Sequence, residues 1–61
     1  MYRIYGKTHD MNRFQAIDLA NGTFVINLIY ASFFESLEEA QETLDHLMEH
    51  NQNIKFELRE V

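Results

Sequence analysis

Residues 14–30, FQAIDLANGTFVINLIY, place two apolar-rich segments on either side of Asn21-Gly22. That residue pair suits a two-residue hairpin turn, whose central positions both require positive φ. The expected register sets Ala20 opposite Thr23, Leu19 opposite Phe24, Ile17 opposite Ile26 and Gln15 opposite Leu28. Side chains alternate across a strand. One face therefore collects Ile17, Leu19, Phe24, Ile26, Leu28 and Tyr30, and the other Phe14, Ala16, Asp18, Val25, Asn27 and Ile29. The first set is nearly all apolar and is expected to carry the core. A slip by one residue would bury Asp18 or Asn27, which supports the pairing.

Outward from this hairpin, Tyr2-Arg-Ile-Tyr-Gly6 reads as a strand with Ile4 inward and Arg3, Tyr5 and Lys7 on the other side. Thr8 to Asn12 is a polar connection. Downstream, Phe33 and Phe34 lead into Ser36-Leu-Glu-Glu39, a capping box that starts a helix. Leu37, Ala40, Leu44, Leu47 and Met48 then recur at three- and four-residue steps as one apolar stripe. The helix is expected to end near Met48–His50, with Asn51 in a left-handed conformation. Ile54 to Glu60 alternates strictly, with Ile54, Phe56 and Leu58 inward and Lys55, Glu57 and Arg59 outward.

These elements predict one α+β domain over residues 1–61, of order β-β-β-α-β: an antiparallel meander sheet with one helix packed on one face. The last strand is expected beside the first, with a place beside the third as the alternative. In either position a helical crossover is expected to make it parallel to its neighbour.

SLEEAQETLDHL (Ser36 to Leu47) followed by IKFELREV (Ile54 to Val61) resembles small, mostly uncharacterised proteins carried by phages and integrated elements of Gram-positive bacteria. The resemblance covers the second half of the chain. It implies an accessory role in a mobile element and brings no catalytic residues with it.

Composition narrows the function classes. The 61 residues contain no Cys and no Pro, 46% are hydrophobic and the formal net charge is −5. Without Cys there is neither a disulfide nor a thiolate metal site. So short a chain buries only roughly 60% of its unfolded surface, which favours tight packing or self-association. No apolar run resembles a signal peptide or a membrane span, so the cytoplasm is the default location. Residues 1–31 carry Arg3, Lys7 and Arg13 against Asp10 and Asp18. Residues 32–61 carry only Lys55 and Arg59 against Glu35, Glu38, Glu39, Glu42, Asp45, Glu49, Glu57 and Glu60. Such an acidic excess repels phosphate backbones and argues against direct nucleic-acid binding.

Four groups of residues are candidates for chemistry or recognition. His46-Leu-Met-Glu49-His50 spells H-x-x-E-H, with both imidazoles on one helix face and Glu42 as a possible third ligand. A short chain has little material for the remaining ligands and the cleft, so an exposed helix end is the favoured reading and no metal or other cofactor is expected. His9-Asp10 with Ser32 or Ser36 has the residue types of a triad but no evident support, and no catalysis is expected. Glu38, Glu42, Asp45 and Glu49 form an acidic helix face: a solubilising surface first, a dock for a basic partner or a phosphate mimic second. Tyr5, Phe14, Val25 and Ile29, flanked by Arg3 and Lys7, make an open sheet face suited to a protein interface. A homodimer or another protein is the expected partner. Aromatics contacting single strands are the alternative.

Overall fold

A computed structural model describes all 61 residues. Four strands and one main helix follow in the order β1 (Tyr2–Lys7), β2 (Gln15–Asp18), β3 (Thr23–Val25), a 3-10 turn (Leu28–Tyr30), α1 (Leu37–His50) and β4 (Lys55–Glu60). The sheet order is β3-β2-β1-β4 and every pairing is antiparallel. The α+β class, the meander and the place of β4 beside β1 agree with the expectation.

The direction of β4 does not. It runs antiparallel to β1, with Tyr2 opposite Glu60 and Lys7 opposite Lys55. The cause lies in residues 26–36, which carry the chain back along the sheet before the helix starts. Phe34 forms an antiparallel bridge with Tyr2, the residue that opens β1. The helix then runs the length of the sheet and β4 returns along it, so the connection makes two passes.

This return segment also completes the sheet. β1 and β2 pair only at Tyr5–Ala16 and Gly6–Gln15. Below that point residues 32–34 occupy the gap between them. The Ser32 amide donates to the Ile17 carbonyl at 3.0 Å, and the Leu19 amide donates to Ser32 Oγ at 2.9 Å. On the other side Tyr2 and Phe34 exchange two backbone bonds of 2.8 Å. Backbone groups of both strands that would otherwise be buried without partners are thereby satisfied.

The hairpin turn is longer than the Asn21-Gly22 reading implies. Asp18 pairs with Thr23, Ile17 with Phe24 and Ala16 with Val25, leaving a four-residue loop, Leu19 to Gly22. Asp18 organises it. Its Oδ1 accepts from the amides of Ala20 and Asn21, its Oδ2 from Asn21 Nδ2 at 2.7 Å, and its carbonyl from the Gly22 amide at 2.8 Å. Gly22, at φ 67°, is the one residue with positive φ, so Asn21 is not left-handed. The register is displaced by two residues, which preserves the parity of the faces. Ile17 and Phe24 still lie beneath the helix side, and Ala16 and Val25 on the other.

β3 also stops earlier than expected. Continued past Ile26 it would outrun β2, which begins at Gln15. Asn27 Oδ1 instead accepts from the Ile29 amide and starts the 3-10 turn. Ile26, Leu28 and Tyr30, assigned to the core face by alternation, are exposed, Ile26 to 89%.

The core is Ile4, Ile17 and Leu44, with Leu19, Phe24, Phe34, Leu47, Phe56 and Leu58 packed around it. The helix lies against β4 and β1. Ser36 Oγ accepts from the Glu39 amide, as the capping box requires, but the Glu39 side chain does not return the bond. Of the expected stripe, Ala40 and Leu44 are buried and Leu47 is half-buried, whereas Leu37 and Met48 are each 52% exposed. Asn51 ends the helix without a left-handed residue (φ −137°, ψ 68°), its Nδ2 donating to the Leu47 carbonyl. No helix is long and apolar enough to cross a membrane.

Two substitutions test this packing in a denaturant melt. Asp18→Ala is expected to cost about 1–3 kcal/mol, because the loop amides lose their acceptor, whereas Asn21→Ala costs much less since no left-handed angle is at stake. Equal losses would contradict the Asp18-centred turn. A Cβ on Gly6 would meet Phe24 Cε1 at 2.9 Å and Ile17 Cδ1 at 3.0 Å. Gly6→Ala is therefore expected to cost about 1–3 kcal/mol by overpacking.

Candidate interaction surface

With the helix on one side of the sheet, the opposite side has no covering layer. Strand alternation points Arg3, Tyr5 and Lys7 of β1, Asp18 of β2, Val25 of β3, and Lys55, Glu57 and Arg59 of β4 toward it. A shallow hollow of about 300 Å³ lies there, lined by Tyr5, Arg13, Phe14, Ala16, Val25 and Arg59 among others, with Ile26 and Leu28 at its margin. Ala16, 2% exposed, is the only buried residue of its lining.

The guanidinium of Arg59 is held in place. Its Cζ sits 4.2 Å from the Tyr5 ring centroid and 6.0 Å from that of Phe14. Its Nη2 and Nε lie 2.6 and 2.7 Å from Glu57 Oε2. Stacking on an aromatic face together with a carboxylate clamp leaves the planar group ordered, with donor capacity to spare. The ion pair is about half exposed and contributes little stability by itself.

Charge is strongly segregated. All five Lys and Arg residues of the chain, Arg3, Lys7, Arg13, Lys55 and Arg59, lie on the open face or line its hollow. Asp18 and Glu57 oppose them on the sheet, and Asp10, in the loop after β1, lies near enough to Lys7 to feel its charge. Two pairs of like charge face each other across the β1–β4 ladder, Arg3 with Arg59 and Lys7 with Lys55. Arg3 Nε is shielded from solvent without a hydrogen-bond acceptor. The helix carries the opposite sign: Glu38, Glu39, Glu42, Asp45 and Glu49, all exposed, with no Lys or Arg among them. An overall charge of −5 thus conceals a cationic face.

Tyr5, Phe14 and Val25 come together in the lining of the hollow. Ile29 does not join them; it sits in the 3-10 turn, 78% exposed, outside the hollow. Arg13, Lys55 and Arg59 were absent from the expected surface, although the alternation of Lys55, Glu57 and Arg59 was visible in the sequence. Pairing β4 with β1 merges that row with Arg3, Tyr5 and Lys7.

The other candidates do not assemble. His46 and His50 lie with ring centroids 4.4 Å apart. No group of three His, Cys, Asp or Glu side chains converges, so Glu42 does not complete a ligand set. Asp10 is engaged by the Thr8 hydroxyl, whose hydrogen bond holds its carboxyl below the ordinary value, with smaller contributions from its own backbone, His9 and Lys7. Ser36 caps the helix and Ser32 bridges into the sheet, so neither hydroxyl is directed at His9. A second cleft, about 190 Å³ and mostly apolar, separates the hairpin from the helix end at Leu47 and Asn51. It is smaller than the few hundred Å³ typical of a ligand pocket.

The chain matches no family model, no curated protein and no solved structure.

Calorimetric titration with zinc is expected to give no submicromolar stoichiometric binding. Should such binding appear and vanish in His46→Ala/His50→Ala, the helix end would be a metal site after all.

Proposed function

We propose that this protein is an interaction module whose recognition surface is the open face of the sheet, and that it takes an acidic protein partner. The observation that carries this reading is the gathering of every Lys and Arg of the chain on one sheet face, with Arg13 and Arg59 lining its aromatic hollow and Arg3, Lys7 and Lys55 in the β1–β4 ladder beside it. Cations that face one another across a ladder repel, which costs stability unless anions lie between them. The ordered, half-exposed guanidinium over Tyr5 offers donors to carboxylates. The apolar margin at Ile26 and Leu28 supplies area that hydrophobic side chains of a partner would cover.

Single-stranded nucleic acid is the second reading, favoured by Tyr5 and Phe14 beside Arg59. Five helix carboxylates behind the sheet and a net charge of −5 oppose it at long range.

Backbone NMR during titration with a short synthetic peptide alternating glutamate with leucine and phenylalanine provides the test. Shifts are expected at Tyr5, Ala16, Val25 and Arg59, with affinity falling as salt is added. A peptide with lysine in place of glutamate is expected to leave them unmoved. Arg59→Ala is expected to weaken binding about tenfold, the equivalent of 1.4 kcal/mol. Equal response to both peptides would refute an acidic partner. Tighter binding of oligothymidylate than of the glutamate peptide would hand the surface to nucleic acid.

A further inference from the structure

We infer that the acidic partner is the outer helix surface of a second copy of this chain, which docks head to tail on the open sheet face. The inference rests on the preceding assignment of that face to an acidic protein.

Both halves of the contact are present in one molecule. At 100° per residue, Glu38, Glu42, Asp45 and Glu49 fall within one side of α1, roughly opposite the buried Ala40 and Leu44. Leu37 and Met48, eleven positions apart and so three turns along the same side, flank that acidic stripe and remain 52% exposed. The helix surface is thus carboxylates beside apolar side chains. The open face offers the complement: a row of cations along the β1–β4 ladder, beside a hollow lined by Arg13, Phe14, Ala16, Val25 and Arg59.

The dimensions agree. Glu38 to Glu49 spans about 16 Å of helix at 1.5 Å per residue. The Lys7–Lys55 pair and the Arg3–Arg59 pair are four residues apart on β1, about 13 Å. Carboxylates along one helix would then reach both pairs.

Charge also selects this arrangement over the symmetric one. A two-fold contact between open faces would set five cations against five. Pairing through the exposed edge of β4 would leave the hollow and the acidic stripe unused. A head-to-tail contact is heterologous, so each copy keeps one free surface of each kind and growth continues unless the rotation closes a ring. The net charge of −5 on each copy opposes long assemblies and favours short ones.

Two reversed-charge variants test the pairing by sedimentation velocity, with circular dichroism confirming that each is folded. Glu42→Lys/Asp45→Lys reverses the helix surface and keeps the sheet. Lys7→Glu/Lys55→Glu reverses the sheet and leaves the Arg59–Tyr5 stack intact. Wild type is expected to associate with rising concentration, at least tenfold less tightly in 0.5 M salt than at low ionic strength. Each variant alone is expected to stay monomeric, and an equimolar mixture to form a 1:1 pair that grows no further. A mixture that remains monomeric would overturn the inference, as would a wild type that is monomeric at about 1 mM. If the glutamate peptide still bound the open face in that event, only the identity of the partner would fall. A dimer that survives the helix reversal and is lost in the sheet reversal would mean that two open faces pair.

Discussion

Ser32 and Phe34 hold the lower ends of β1 and β2 together, and most of the architecture depends on that insertion. The two strands share only two residue pairs of their own. The Ser32 amide donating to Ile17, the Leu19 amide donating to Ser32 Oγ, and the backbone bonds between Phe34 and Tyr2 continue the sheet where direct pairing stops. Because the return segment must reach this gap, the chain has already recrossed the sheet when α1 begins. The antiparallel entry of β4 follows.

Much of this was legible in the residues. Alternation in 14–30 separated Ile17 and Phe24 from Ala16 and Val25, and a two-residue change of register leaves such a separation intact. Ser36 marked the start of the helix, and the row from Lys55 to Glu60 marked an edge strand. Turn length was not legible, because the Asn21-Gly22 pair is compatible with more than one loop and the Asp18 carboxylate selects the longer one. The departure at Ile26 escaped for a related reason: an apolar run continues through Tyr30, but the partner strand does not. Pattern reports what a segment tolerates, and the neighbour decides whether it is used.

The cationic surface illustrates a second gap between sequence and structure. Its five residues are spread from position 3 to position 59, each followed or preceded by acids elsewhere in the chain. Averaged over the chain they are outnumbered two to one. Only strand order collects them; β4 was expected beside β1, but its outward row was not combined with that of β1. Net charge was therefore a poor guide to the field at the one sheet face that lacks a helix. The aromatic members, Tyr5 and Phe14, were recognisable because large rings outside a core stand out in any register.

The facing pairs Arg3–Arg59 and Lys7–Lys55 place electrostatic tension in the seam that joins the last strand to the sheet. Any anion that settles between them relieves it, and the seam closes more firmly. Occupancy and cohesion are then thermodynamically linked: a ligand that binds only the assembled sheet shifts the folding equilibrium by its own mass action. The open sheet face is in this sense also a brace for the fold. A domain with so small a core would owe part of its persistence to the company it keeps.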